Sequence, residues 1–370
     1  MSDKIPVKDN RCTVPFDGRI RLLLHKNQVS ACCKTPLHPI DPATGALTTE
    51  IRALRASIIK NERNPQCSAC WEMDDTGGTS FRKRHSTHFN NPVDWDKLDI
   101  NQPIRGVEIV FSNKCQMMCV YCGPEISTMW ENFDKKNFPT KIIKVEQETP
   151  LVEDLLDVNE LNMIVFSGGE PMLEPKCVDF LLRLPYKENR VMSIITNLSY
   201  GDATFETLQQ VIARHPNTFV VCSLDSVGEN VNRKYLNWDL WKRNFEKLVE
   251  ELQVRIQTHP TALISVNITV TILNYKDIQG VIEYIVSLKK LGNRRVTFNV
   301  NPVSFDQKTS LASGRLDPNY NVQLTEEDAK YLSVNEQEQI ASYNRLLKGV
   351  EYNSVLDQET QDFLKTYLKE

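Results

Sequence analysis

The stretch FSNKCQMMCVYCG, residues 111–123, sets Cys115, Cys119 and Cys122 on a loop directly after the β-rich run VEIVF (107–111). Cys-x3-Cys-x2-Cys offers three thiolates, whereas a closed tetrahedral zinc site takes four ligands. A 4Fe-4S cluster on three thiolates would instead leave one iron open to a further ligand. Three structural cysteines, or zinc completed by a distant ligand, are the other readings.

Outward from this loop, short β-rich runs recur: NMIVFS (162–167), VMSIIT (191–196), TFVVCSL (218–224), LISVNITVTIL (263–273) and RVTFNV (295–300). Apolar residues three and four apart mark helices between them, over Val178–Leu184, Thr204–Ala213, Trp238–Ile256 and Asp277–Leu291. Strand and helix alternating in this way imply a parallel sheet, because parallel neighbours need long crossovers. The fold class is therefore α/β, and an open or partial TIM-like (β/α)6 barrel over residues 101–305 fits best. A doubly wound sheet gives the same alternation. Residues 1–100 are rich in breakers (Pro36, Pro39, Pro42, Gly45, Pro65, Gly77, Gly78, Pro92), with one helical stretch near Glu50–Lys60. They read as a small loop-rich module that a metal or cluster would stabilise. Residues 306–370 read as a polar loop and a solvated acidic helical tail (Glu326, Glu327, Asp328, Glu336, Glu338).

The central segment resembles the radical S-adenosylmethionine (SAM) enzymes. In that family the three cysteines bind a 4Fe-4S cluster whose open iron takes SAM, and reductive cleavage gives a 5′-deoxyadenosyl radical that abstracts hydrogen from substrate. The resemblance implies that Tyr121 lies beside the adenine. Ser167-Gly168-Gly169-Glu170-Pro171 resembles the family's Gly-Gly-Glu turn, which implies Gly168, Gly169 and Glu170 at the SAM ammonium. Thr196 and Asn197 match a Thr-Asn-Gly in which Leu198 replaces the glycine. Ser223 and Asp225 match a Ser-x-Asp-Gly in which Ser226 replaces it. Ser223 and Arg233, with Arg243 or Arg255 as substitutes, are implied at the SAM carboxylate. These positions end predicted strands, where α/β sheets and barrels place active sites.

Ten cysteines suit metal ligation in a reducing compartment better than a disulfide framework. Cys12, Asn27, Cys32 and Cys67-x2-Cys70 resemble parts of the SPASM and twitch domains that hold auxiliary clusters. Asn27 stands where that pattern has glycine, and asparagine is the residue that next most readily accepts left-handed backbone geometry. Cys12, Cys32, Cys67 and Cys70 make one four-ligand set, enough for one auxiliary 4Fe-4S cluster, with Cys33 the alternative to Cys32. The module precedes the barrel, whereas in most relatives it follows. Four-thiolate zinc is the competing reading. Cys177 and Cys222 read as ordinary buried thiols. The basic stretches Phe81–His85 with His88, and Asn293-Arg294-Arg295, read as solvated linkers or strand edges, with phosphate or peptide-carboxylate binding the alternative for the first.

With 44 Lys and Arg against 48 Asp and Glu, the net charge of −4 gives no general attraction to nucleic acid or anionic membrane. No apolar run approaches the ~20 residues of a membrane span, and MSDKIPVKDN lacks a signal-peptide apolar region. The expectation is a soluble, cytoplasmic radical SAM enzyme that takes electrons from a flavodoxin or ferredoxin and acts on a peptide or small molecule. Net oxidation or crosslinking is the first reading and redox-neutral epimerisation the second. A zinc-binding recognition protein is the non-enzymatic alternative.

Overall fold

The computed structural model describes residues 10–76, 80–83, 94–137, 150–259, 262–303 and 320–349. Expectations for Gly77, Gly78, Arg84, His85, His88, Pro92, the loop at 304–319 and the chain past 349 fall outside these residues. In chain order the strands are β1 (Arg19–Leu23), β2 (Gln28–Ser30), β3 (His38–Pro39), β4 (Gly106–Val110), β5 (Met118–Cys119), β6 (Met163–Ser167), β7 (Val191–Thr196), β8 (Thr218–Ser223), β9 (Arg233–Lys234), β10 (Leu263–Val270) and β11 (Val296–Pro302). The chain divides into two compact units. One comprises Met1–Ser112, Lys144–Ser167 and Arg183–Met192, the other Asn113–Ile143, Gly168–Leu182 and Ser193–Glu370.

In the first unit β1 pairs in parallel with β4, from Arg19 opposite Gly106 to Leu23 opposite Val110, and β4 pairs in parallel with β6. β2 and β3 add antiparallel strands beyond β1. β1 was not expected from the sequence, although Arg19, Ile20, Arg21 and Leu22 alternate charged and aliphatic residues with a strand's period of two. The segment expected to stand apart as a loop-rich module thus contributes a strand to the sheet. Asn27 makes the β1–β2 turn at φ 50°, ψ 47°, the left-handed geometry expected of it. The helix α1 spans Val14–Asp17, and α2 spans Thr49–Ile59, where Thr48 caps the first turn. α2 buries Ile51, Leu54 and Ile58 on one face, together with Arg55. The Arg55 guanidinium donates to the carbonyls of Pro15, Ile100 and Gln102. It thereby ties α1 and the approach to β4 to one side chain.

In the second unit β8, β10 and β11 pair in parallel, with Asn267 opposite both Ser223 and Asn299. One face, with Val220, Cys222, Ile264, Val266, Ile268 and Phe298, is fully buried. The crossover helices match the predicted ones within a few residues: α3 (Pro175–Arg183), α4 (Asp202–Arg214), α5 (Trp238–Arg255) and α6 (Ile278–Lys290). α5 buries Trp241, Phe245, Leu248, Val249 and Leu252, the three-and-four spacing that its sequence shows. Parallel pairing and crossover helices establish the α/β class. The carboxyl-terminal helix α7 (Val334–Gly349) departs from expectation at Glu336, which was read as solvated. Glu336 is 1% exposed and accepts two hydrogen bonds from Lys289, itself 3% exposed, at 2.6 and 2.7 Å. A buried lysine on α6 requires that carboxylate.

Candidate metal centre

The cysteine loop lies wholly in the second unit, and local bonds explain its shape. Cys119 belongs to β5, which pairs antiparallel with β9 so that Cys119 faces Arg233. Val120 N donates to Asn232 O at 2.8 Å, and Cys122 N closes a turn onto Cys119 O. Behind the loop, Met118, Val120, Trp130 and Phe133 form a small core. Trp130 Nε1 donates to Cys119 O at 2.7 Å, Ser127 Oγ to Met117 O, and Thr128 Oγ1 to Cys115 O. The helix over Thr128–Asn137 therefore supplies the polar anchors as well as the apolar support.

The Gly-Gly turn is locked onto this loop. Glu170 N donates to Lys114 O at 2.7 Å, Gly168 has φ 110°, and a Cβ on Gly169 would run into the Lys114 carbonyl. Only glycine permits that approach. Glu170 is 1% exposed, and its carboxylate accepts from Thr196 Oγ1 (2.9 Å), Asn197 N (2.6 Å) and Met172 N (3.3 Å). Burial pushes its carboxyl up to about 7, against the pull of those donors and of Arg233. The carboxylate expected at a SAM ammonium thus also latches the Gly-Gly-Glu turn to the end of β7. Asn197 and Gln116 exchange amide hydrogen bonds at 3.0 and 3.1 Å, and Gln116 Nε2 also reaches Ser199 O. Gln116, an unremarked residue inside the cysteine motif, fastens the loop to the end of β7.

Half-buried Tyr121 joins buried Asp225 and Arg233 in one group. Tyr121 Oη donates to Asp225 Oδ2 at 2.7 Å, Arg233 Nε lies 3.0 Å from the same oxygen, and Thr269 N donates to Asp225 Oδ1 at 2.8 Å. Ser223, 7% exposed, ends β8 beside them. Ser226 Oγ donates to Asp277 at 2.8 Å, so the residue in the place of glycine is spent on a bond to a carboxylate 51 positions along the chain. Of the substitutes for Arg233, Arg243 is engaged by Asp202 at 2.7 Å, and Arg255 lies at the far end of α5.

Sulfur chemistry is consistent with cluster ligation. Burial pushes the Cys115 thiol up to about 12, while its sulfur accepts long hydrogen bonds from Met117 N (3.5 Å) and Asn197 Nδ2 (3.9 Å). Cys119 is drawn below its ordinary value by the Cys122 thiol, with burial opposing and Arg233 assisting. Metal–thiolate sites carry such donors to sulfur in their outer shell. In the first unit, burial pushes Cys12 and Cys67 up to about 12, with the charges of the other thiols of the set adding. Cys32 and Cys70 are among those neighbours. Exposed Cys33 instead senses Glu108, Lys34, Arg19 and Arg21. Among the described residues, no three or more His, Cys, Asp or Glu groups are already drawn together as a metal-binding set.

Residues 109–285 match the Radical SAM superfamily. That match takes in just under half of the chain, and over it the central segment is similar to a radical SAM domain. Over 168 residues the chain is also 23% identical to the radical SAM cyclopropyl synthase TigE of Paramaledivibacter caminithermalis, a match covering 43% of this chain and 33% of that protein. The chain thus spans about a third of the length of that curated relative. Both matches mark an enzyme. The radical SAM family binds a 4Fe-4S cluster and SAM, and Cys115, Cys119 and Cys122 offer the donor set for such a cluster. No described helix is long and apolar enough to cross a membrane.

Proposed function

We propose that this chain is a radical SAM enzyme of the cytoplasm, with a core over residues 101–305, an auxiliary-cluster module over residues 1–100 and a helical region from 306. Cys115, Cys119 and Cys122 would hold the 4Fe-4S cluster, and Cys12, Cys32, Cys67 and Cys70 a second one. When bound, the first cluster supplies the electron that cleaves SAM reductively, leaving a radical that takes hydrogen from substrate. Tyr121, Gly168, Gly169, Glu170, Thr196, Asn197 and Ser223 would frame SAM. Glu170 fixes the end of β7 through Thr196 and Asn197, and would so set the wall against which the ligand rests.

The observation that carries this reading is the joining of cysteine loop, Gly-Gly-Glu turn and β7 terminus through Lys114 O, Glu170 and Gln116. Gly169 lets the turn press against the Lys114 carbonyl, and that contact brings the two motifs of the resemblance onto one another. The substrate is a peptide or small molecule, and a flavodoxin or ferredoxin delivers the electron. Net oxidation or crosslinking is favoured over epimerisation, because a protein-ligated auxiliary cluster can accept the electron of a substrate radical. The resemblance to a cyclopropyl synthase supports carbon–hydrogen activation in general.

Anaerobically reconstituted protein is expected to hold about eight irons and eight sulfides, as two Cys-bound cubanes require. Four of each would leave the auxiliary module as a zinc or metal-free fold. Stoichiometric zinc with no iron would overturn the reading altogether.

A further inference from the structure

The strand pairing sets a buried arginine across from one of the triad cysteines. β5 and β9 are two residues long, and their register puts Arg233 opposite Cys119. Arg233 Nη1 lies 3.7 Å from Cys119 Sγ within hydrogen-bonding geometry, and the guanidinium carbon sits 5.4 Å from the Tyr121 ring centre. The side chain is 9% exposed, and its carboxylate partner Asp225 is fully buried. That partner is shared, since Asp225 also accepts from Tyr121 and Thr269. The guanidinium is therefore divided between a carboxylate on one side and a sulfur on the other. Arg233 was expected at the SAM carboxylate, but its donors point into the protein at a cysteine.

We propose that Arg233 tunes the cluster of the radical SAM domain: its Nη1–H donates to Cys119 Sγ and its positive charge favours the reduced state, while Asp225 limits how much of that charge the sulfur feels. The inference rests on Cys119 being a cluster ligand. One-electron reduction adds one negative charge to the iron–sulfur unit without making or breaking a bond in the protein. A buried cation and a hydrogen bond at a ligating sulfur both stabilise that added charge, and both are known levers on cluster potential. Tyr121 contributes by holding Asp225, so the ring beside Arg233 and the carboxylate act as one positioning group.

The test is a redox titration of the anaerobically reconstituted full chain without SAM, with dithionite as electron donor and the reduced cluster followed by electron paramagnetic resonance. The signal of the triad cluster is identified by its change when SAM is added afterwards. Arg233→Met is expected to lower the reduced-to-oxidised ratio at fixed potential at least tenfold, a shift of about 59 mV for one electron. Asp225→Asn is expected to shift the midpoint the opposite way, and Arg233→Lys to fall between Arg233→Met and the natural protein. Opposite signs separate tuning from damage, because two structural lesions would not move the midpoint in opposite directions.

Unchanged midpoints in all three variants would overturn the proposal, and a loss of SAM affinity alongside them would return Arg233 to the SAM carboxylate. Shifts of the same sign in Arg233→Met and Asp225→Asn would also overturn it. Should Arg233→Met fail to hold iron, Arg233→Lys and Asp225→Asn decide on their own. Natural protein that binds no iron would mark failure of the functional reading beneath the proposal.

Discussion

Glu170 has more demands on it than its motif suggests. Three donors, one hydroxyl and two backbone N–H groups, converge on a carboxylate that is 1% exposed. A buried donor without an acceptor costs about 1–3 kcal/mol. Glu170→Ala is therefore expected to destabilise the apo-protein by about 3 kcal/mol, read as a lowered urea midpoint with unchanged slope. Glu170→Gln should recover only part of the loss, since its amide N–H₂ meets donors. If the midpoint of Glu170→Ala stayed within error of the natural protein, the carboxylate would serve only a ligand. A neighbouring departure from the family's pattern is explained in the same way. Leu198 takes φ 56° where the resemblance has glycine, and it is fully buried while Asn244 Nδ2 holds its carbonyl. Left-handed strain costs about 1–3 kcal/mol, whereas burying a leucine gains about as much or more. The residue thus departs from glycine in chemistry while keeping the backbone geometry. Gln116 shows what sequence could not reveal: its amide pairing with Asn197 spans 81 positions of chain. No local pattern marks that partner.

Among the elements, strands and crossover helices were the most legible, because their burial follows short apolar periods. The pieces that were missed are short. β5 and β9 are two residues each and are defined by pairing with one another, and β1 does alternate arginine with aliphatics, but over five residues only. The short helix Ser68–Asp75, which carries Cys70, is a third case. Phe81–His85 was read as solvated, yet Arg82 is 7% exposed and lies 3.1 Å from Asp74, and its guanidinium covers the Trp71 ring at 4.8 Å. Burial works against the Asp74 carboxylate, but hydrogen bonds from Arg82, Ser80 and Lys83 outweigh it and hold the carboxyl at about 2. An acid whose folded value is depressed contributes stability that is full above its unfolded value. That stability is lost as pH falls through the folded value. The drop from 3.8 to about 2 corresponds to about 2 kcal/mol near neutral pH. Acid unfolding of the natural protein should steepen between about pH 4 and pH 2. Asp74→Asn should flatten that part of the stability–pH curve. An identical curve in the variant would remove Asp74 from the account of acid stability.

At the scale of the molecule, two cysteine sets fall in two compact units: the triad with Gly168–Glu170 in one, and Cys12, Cys32, Cys67 and Cys70 in the other. This separation allows the second set to be deleted without touching any residue of the first. Cys33, exposed beside Cys32, also acts on its thiol, so Cys33 stays the alternative to Cys32 in that set. A cluster ligated by all four would have no iron open to substrate, which leaves electron transfer or local structure as its work. The two roles separate on products. Changing Cys67 and Cys70 together to alanine is expected to halve the iron content and leave reductive SAM cleavage intact. If the auxiliary cluster accepts the substrate electron, the variant still moves deuterium from labelled substrate into 5′-deoxyadenosine but forms no oxidised product. Natural amounts of oxidised product, in a variant shown by iron count to lack that cluster, would reject the acceptor role. Loss of SAM cleavage together with the triad's spectroscopic signal would instead show that the variant no longer holds the first cluster, and would reject the independence of the two sets.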